Sequence, residues 1–256
     1  MPKPITFYDI ASGPPLRPYA PNPSSDTAIR YALNFKRLHS SLDYRTCWTE
    51  LTEVTQVRKG LGAPPCRKHL DQTDFYTLPV IVDHTRATDQ VVGDSFEIAM
   101  YLDKAYPSTR QLFPGDAAAS YRQFNAQVDM VFTKYVVLCF QTMPLNPETA
   151  AKARAEFCRR AGRKDWEEFI VYGHQRTAML NEFERALGQL SEIYGEVGSG
   201  VHLTRNVTPT YADFIIGGWL WMMKEALPEW DKVCSWQDGL WGRLHDTLNG
   251  TYGRDD

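Results

Sequence analysis

Two short stretches decide the fold of this sequence: Thr77-Leu78-Pro79-Val80-Ile81 and Gly93-Asp94-Ser95-Phe96-Glu97-Ile98-Ala99-Met100-Tyr101-Leu102. In the first, a proline opens an apolar run that predicts a short buried strand from Leu78 to Asp83. In the second, an acid and a serine precede apolar residues at helical spacing, which predicts a helix over 95–105. A strand entered through proline and a helix entered through Asp-Ser are therefore expected to lie close together in the chain.

Upstream of these stretches the pattern alternates between strands and helices. The order is β-α-β, then a loop with one helix, then β-β-α, and the expected elements are strands at 5–8, 44–51 and 91–92 and a helix from about 26 to 39. The segment 53–77 is too long for a turn, and Val54, Val57 and Leu61 indicate a helix within it. Its basic residues (Arg58, Lys59, Arg67, Lys68 and His69) are interpreted as a solvated face.

Downstream of residue 117 only helical periodicity remains. Helices are expected from 117, over about 148–161, 165–194 and 231–248, and from Thr210 onward. Thr210-Tyr211-Ala212-Asp213 has the spacing of a capping box. The following helix is apolar all round, which is typical of a buried helix, and Gly217-Gly218 indicates close approach of another helix.

Composition limits the classes of function. With 28 basic and 31 acidic residues among 256 the formal net charge is −3, which gives no electrostatic footprint for nucleic acid or an anionic membrane. No run of about 18–20 apolar residues predicts a membrane span, and the N-terminus shows no secretory h-region. The five cysteines form no Cys-x-x-Cys pair, so we expect free thiols and no metal site.

Taken together, these pieces resemble the cytosolic glutathione transferases. The resemblance implies the fold class α+β/α: a thioredoxin-like N-terminal domain over 1–108, followed by an all-α helical-bundle domain over 117–256. Phe7-Tyr8-Asp9-Ile10, Ala20-Pro21-Asn22-Pro23 and the segment 30–36 are similar to the fungal etherase-related branch, which is itself similar to bacterial glutathione-dependent β-etherases.

The glutathione site implied by this resemblance consists of Leu78, Pro79, Asp94 and Ser95. A cis proline exposes the N–H and C=O of Leu78, to which an extended peptide bonds as an added strand. Asp94 offers an acceptor for the γ-glutamyl ammonium, while Ser95 and the free N–H groups of the helix favour a carboxylate. The alternatives are structural: Pro79 merely opens a strand, and Asp94-Ser95 merely caps a helix.

The group that activates the thiol is expected near the first helix. Etherase-like relatives have a Ser-Pro-Asn or Ser-Pro-Tyr motif there, whereas this chain has Ala20-Pro21-Asn22. Ser24 and Ser25 are therefore the candidate catalytic residues, and the alternative is that they only cap the helix. Tyr8 and Tyr19 are further candidates, whereas Cys47, placed within a strand, gives no support to a cysteine mechanism.

A hydrophobic co-substrate is expected between the first loop and the helices after 117. The candidate lining residues are aromatic: Tyr19, Tyr121, Phe124 and Tyr135, with Phe132 and Phe140 as further members of the same pattern. Such residues suit aryl ligands through stacking and edge contacts. Simple core packing is the alternative for each of them.

The expected function is that of a cytoplasmic glutathione transferase acting on hydrophobic aromatic or phenolic electrophiles. Glutathione-dependent aryl-ether cleavage and detoxification of wood- or plant-derived compounds belong to this expectation, with glutathione as co-substrate and a homodimer as the assembly. The alternative, favoured by Ala20, is a weakly catalytic or non-catalytic carrier of polyphenols, a ligandin. A structural factor with no glutathione site is a third interpretation.

Overall fold

A computed structural model describes residues 4–11, 26–38, 40, 42–69, 72–115, 117–200 and 207–253. Its first part is built on a four-stranded sheet in the order β2-β1-β5-β6. β1 (Ile5–Ala11) pairs in parallel with β2 (Tyr44–Glu50) and antiparallel with β5 (Val80–Asp83), which in turn pairs antiparallel with β6 (Gln90–Gly93). β1 and β5 are almost wholly buried because they are the inner strands of the sheet.

Three helices accompany the sheet, and five more make up the second part of the described chain. The first three are α1 (Asp26–Arg37), α2 (Val54–Gly60) and α3 (Ser95–Ala105). The others are α4 (Ala118–Tyr135), α5 (Ala150–Ala161), α6 (Gly173–Val197), α7 (Tyr211–Ala226) and α8 (Trp230–Tyr252). The single helix expected over 231–248 is broken within α8, because the backbone of residues 236–239 is not helical. The whole is a thioredoxin-like sheet-and-helix domain followed by a helical domain, as expected from the sequence, whereas the exact division at 1–108 and 117–256 stays a prediction.

The two parts share one hydrophobic core, in which α1 packs against α7. Phe214 of α7 meets Phe35 of α1 with ring centroids 5.5 Å apart. A Cβ added to Gly217 would lie 2.5 Å from Leu248 Cδ1 and 3.1 Å from the ring of Tyr31. Gly217 therefore permits the close helix approach that the sequence predicted, at the centre of the contact between the two parts.

The capping box predicted at the start of α7 is present. Thr210 N donates to Asp213 Oδ2 at 2.6 Å, and the Thr210 side chain pairs with the backbone of Asp213 in return. The other carboxylate oxygen of Asp213 accepts from the hydroxyl of Tyr194, at 2.5 Å, near the end of α6. Asp213 is fully buried, so its carboxylate ties α6 to α7 while it satisfies the first turn of α7.

Two further sequence expectations about elements are wrong. The helix expected over 165–194 is interrupted: Trp166–Phe169 forms a 3₁₀ turn, and α6 begins only at Gly173, whose φ of +52° suits glycine. The cause is tertiary, because the rings of Trp166 and Phe169 pack on Phe140 instead of joining the α6 stripe. The second of these wrong expectations concerns the segment 53–77, which was predicted to be a loop with one helix. It contains α2, as predicted, but it also contains a two-stranded hairpin, β3 (Arg67–Lys68) with β4 (Asp74–Phe75).

All five cysteines are free thiols; Cys47 and Cys66 are exposed, and Cys139 and Cys158 are buried. Within the described ranges, no helix is both long enough and apolar enough to cross a membrane.

The close approach at Gly217 is testable with a matched pair of substitutions. Gly217→Ala gains helix propensity of about 1 kcal/mol but forces Leu248 and Tyr31 apart. Gly250→Ala, also in a helix, gains the same propensity with nothing within 4 Å of the new Cβ. We expect Gly217→Ala to be less stable than Gly250→Ala by about 1–3 kcal/mol in urea unfolding. Equal stability of the two variants would show that the contact of α1, α7 and α8 around Gly217 has room for a methyl group.

Candidate functional site

The peptide bond between Leu78 and Pro79 is cis, as the resemblance implied. The ladder between β1 and β5 ends at the pair Tyr8–Val80, so Leu78 lies just beyond it. Leu78 as a whole residue is 1% exposed, and it packs in a small cluster with Ile10 and Val54. Its carbonyl accepts from the hydroxyl of Thr77 at 3.2 Å, and its backbone groups are not used by the β1–β5 ladder.

Asp94 and Ser95 begin α3. Asp94 is exposed, and its Oδ1 accepts from the N–H of Phe96 at 3.1 Å, which makes it the N-cap residue. Its backbone has φ of +75°, a conformation that residues other than glycine adopt at a cost. The carboxylate lies at the N-terminus of α3, where the free N–H groups and the helix dipole favour an anion. Ser95 is buried in the first turn.

Arg58 connects these two halves of the site. Its side chain is buried, and its guanidinium donates to the carbonyl of Thr77 at 2.5 Å, to the carbonyl of Pro64 at 2.8 Å and to Cys66 Sγ at 2.8 Å. The carbonyl of Thr77 immediately precedes Leu78, so Arg58 fixes the entrance to the cis peptide.

The same guanidinium reaches the other half of the site at Gly93. A Cβ added to Gly93 would lie 2.6 Å from Arg58 Nη2, so only glycine leaves room for Arg58 beside the turn that leads into Asp94. One buried cation therefore contacts both the segment before Leu78 and the segment before Asp94.

The sequence interpretation missed Arg58, because it assigned all five basic residues of 53–77 to a solvated face. That interpretation is wrong for Arg58 and holds for the exposed Lys59, Arg67 and Lys68. The available signal was the spacing: Arg58 follows Val54 by four residues, which places both on one face of α2, and both are buried. Buried carbonyls in loops need hydrogen-bond donors, and a buried guanidinium supplies several N–H donors in a fixed geometry.

The thiol end of the site falls outside the described residues. Ser24, Ser25, Tyr19 and Ala20 all belong to the stretch 12–25, so the catalytic role of Ser24 or Ser25 stays a prediction. The described part of α1 is firmly held, since Arg30 pairs with Asp9 of β1 at 2.6 Å, and its guanidinium lies over the ring of Trp48. The start of α1 is thereby fixed relative to the sheet.

The aromatic residues expected to line a co-substrate cavity are buried in the core. Phe124 stacks on Tyr194, and Tyr135 packs against Phe183, while Tyr121 meets Phe113 edge-on. Tyr121, Phe124 and Tyr135 are each 5% exposed or less. This is the core-packing alternative, so a role of Tyr121, Phe124 and Tyr135 in a substrate cavity stays a prediction without support from their packing. The described part of the chain has no group of three or more residues able to hold a metal ion.

The fold and the site together define the class of protein. It has a thioredoxin-like domain with a cis proline at the edge of its sheet and a helix N-terminus nearby in sequence, followed by a helical domain. The family model for the glutathione S-transferase C-terminal domain matches residues 118–250. Because this model covers more than half of the chain, the chain belongs to the glutathione S-transferase family. A search of curated proteins finds no match.

Several solved structures of fungal glutathione transferases are similar over the whole chain. The transferase GSTFuA2 from Phanerochaete chrysosporium is 30% identical, with a TM-score of 0.79 over 99% of this chain and 100% of that one. GSTFuA3 from the same fungus is 29% identical, with a TM-score of 0.80 over the full length of both chains. The transferase CsGST63524 from Ceriporiopsis subvermispora, solved in complex with glutathione, is 28% identical, with a TM-score of 0.74 over 97% of this chain and 98% of that one.

The role of Arg58 is testable by a conservative change. Arg58→Lys retains the charge but cannot reach three acceptors, so a buried carbonyl loses its donor at a cost of about 1–3 kcal/mol. Arg67→Lys is the matched control, because Arg67 is exposed and its guanidinium only lies over the ring of Phe75. We expect urea unfolding to show a clear loss of stability for Arg58→Lys and a change within about 0.5 kcal/mol for Arg67→Lys. Similar values for both would mean that Arg58 does not support the site.

Proposed function

We propose that this protein binds glutathione at Leu78-Pro79 and Asp94-Ser95 and transfers it to hydrophobic aromatic or phenolic electrophiles. The observations that carry the proposal are the cis Leu78–Pro79 bond, which Arg58 anchors through the carbonyl of Thr77, and the Asp94 N-cap of α3. The cysteinyl part of glutathione pairs with the backbone of Leu78, and its γ-glutamyl end meets Asp94 and the start of α3. The complex of a fungal relative with glutathione supports glutathione as the ligand.

The chemistry is nucleophilic substitution or addition by the glutathione sulfur. The thiol loses its proton to solvent, and the resulting thiolate attacks an electrophilic carbon, forming a C–S bond. With an aryl chloride the C–Cl bond breaks and chloride leaves; with a β-aryl ether the C–O bond breaks and a phenolate leaves. With an isothiocyanate the thiolate adds to the central carbon, and the nitrogen takes up a proton.

A hydroxyl and the N-terminus of α1 stabilise the thiolate in this proposal, because both place positive potential beside the sulfur. Ser24 and Ser25 are the residues proposed to supply the hydroxyl. A carrier of polyphenols is the second candidate function, since the relatives' serine position holds Ala20 in this chain. A cytoplasmic location, a homodimer and a role in detoxifying wood- or plant-derived compounds complete the proposal.

The enzyme and the carrier are separated by one set of measurements. We expect the purified protein to be retained on immobilised glutathione and to turn over an aryl chloride, phenethyl isothiocyanate or a β-aryl ether model compound. Retention without turnover of any of the three would support the carrier, and lack of retention would contradict glutathione binding altogether. Light scattering on the same preparation tests the dimer, because a mass of one chain, 29.3 kDa, would exclude it.

The proposed thiolate stabilisation is tested by Ser24→Ala, Ser25→Ala and the double variant. Loss of the hydroxyl that contributes should raise the pKa of the thiol of bound glutathione. Because less thiolate then forms at pH 6.5, turnover at that pH should fall. The ultraviolet absorbance of the bound thiolate, followed against pH, measures that pKa directly. Wild-type behaviour of all three variants would remove both serines from the mechanism.

A further inference from the structure

An open cleft of about 430 Å³ lies between the β3–β4 hairpin and the last turn of α5. The side chains that line it are basic, amide or aromatic: Arg67, Lys68, His69, Gln72, Phe75 and Arg160. Within the described ranges, the lining includes no acid and no residue of the proposed glutathione site. The cleft is therefore a separate feature, and it concentrates positive charge in a chain whose net charge is −3.

The ring of Phe75 brings the cationic groups of the cleft together. The guanidinium carbon of Arg67 lies 4.5 Å from the ring centroid, and that of Arg160 lies 5.0 Å from the same centroid. The imidazole of His69 meets the ring edge-on, with centroids 4.9 Å apart. Arg67 and Phe75 are paired across the hairpin, whereas Arg160 belongs to α5, so the two guanidiniums reach one ring from different domains.

Both guanidiniums keep N–H donors for a ligand. The side chain of Arg67 has no hydrogen-bond or ion-pair partner within the part of the chain that the structure describes. Arg160 donates through Nε to Glu156 Oε1 at 2.7 Å, and no described residue accepts from its terminal NH2 groups. Lys68, by contrast, is paired with Asp74. Arg67 and Arg160 are therefore the cations of the cleft that have capacity for an anion.

The acid beside Arg160 is shared between two arginines. The carboxylate of Glu156 accepts from Arg159 at 2.8 and 2.9 Å as well as from Arg160. These hydrogen bonds, of which those of Arg159 have the larger effect, lower the pKa of Glu156 to about 2. The carboxylate is thus charged at neutral pH, but it offsets only one of the two cations. The end of α5 keeps a positive charge in addition to that of Arg67.

The chemistry of the cleft suits an organic dianion. A guanidinium binds an oxyanion such as a carboxylate or phosphate through two parallel N–H donors, so two guanidiniums can bind two such groups. The volume of the cleft falls in the range of sites for organic molecules, which runs from about 300 to 1,000 Å³. Planar guanidinium groups also stack on aromatic rings, which favours an aromatic body between the two anionic groups.

We infer that this cleft is a second ligand site of the protein, which binds an aromatic dianion with one anionic group at Arg67 and the other at Arg160. His69 and Gln72 line the same cleft and offer further polar contacts. The inference does not rest on the proposed function, because the cleft and the glutathione site share no residue. A molecule bound there connects the hairpin of the sheet domain to α5 of the helical domain.

The test uses two sulfonates as probes in calorimetric titrations at low ionic strength, where exposed charges are least screened. Naphthalene-1,5-disulfonate carries two permanent negative charges, and naphthalene-1-sulfonate carries one on the same ring system. The proteins are the wild type, Arg67→Gln, Arg160→Gln and Arg185→Gln. Arg185 is the matched control, because it is an exposed arginine of α6 that forms no ion pair within the described ranges.

We expect the wild type to bind the disulfonate about tenfold or more tightly than the monosulfonate, because only the disulfonate engages both guanidiniums. Arg67→Gln and Arg160→Gln should each weaken disulfonate binding about tenfold, and Arg185→Gln by less than about twofold. Equal losses in all three variants would mean that the probe responds only to overall charge, which would overturn the site. Equal wild-type affinities for the two probes would overturn it without reference to any variant.

A titration in the presence of saturating glutathione separates the two sites. The affinity for the disulfonate should stay the same, since glutathione binds elsewhere in the proposed function. Displacement of the disulfonate by glutathione would place the probe in the glutathione site and contradict the inference. Failure of the protein to bind glutathione would contradict the proposed function alone and leave the comparison of the two sulfonates decisive for the cleft.

Discussion

The packing of α1 on α7 is the constraint on which the rest of the structure depends. Phe35 and Tyr31 of α1 meet Phe214 and Gly217 of α7 within a single core, so the helix that faces the sheet also belongs to the helical domain. A close-packed interior tolerates few displacements, and the start of α1 is therefore fixed relative to both domains at once.

A second constraint acts within the recognition surface itself. The guanidinium of Arg58 reaches Thr77 before the cis peptide and lies against Gly93 before the α3 turn, so it holds two segments that are apart in sequence. In the proposed site, recognition would depend both on main-chain geometry supported by this buried side chain and on the exposed carboxylate of Asp94.

Much of this architecture could be predicted from the sequence, and the exceptions have identifiable causes. The strands, the Thr210–Asp213 box and the Gly217 approach follow from local patterns, namely alternation, capping spacing and glycine within an apolar helix. The interruption of the helix expected over 165–194 could not be predicted, because it arises from contacts of Trp166 with residues elsewhere in the chain. The spacing of Arg58 from Val54 signals its burial, but its acceptors at Pro64 and Thr77 lie in other segments, which the periodicity of one helix does not identify.

The two halves of the proposed site differ in how many residues each depends on, and therefore in how easily a substitution changes its function. The half proposed to recognise the peptide is distributed over a cis bond, a helix N-terminus with the Asp94 carboxylate, and a buried cation, so it depends on several elements at once. Thiol activation depends instead on one hydroxyl beside the sulfur, and a shift of one unit in thiol pKa corresponds to only about 1.4 kcal/mol. A transferase and a polyphenol carrier can therefore share the whole of this fold and the glutathione site proposed for it. If Ala20 stands at the serine position that the resemblance implies, the segment before α1 is where the two proposed functions would diverge.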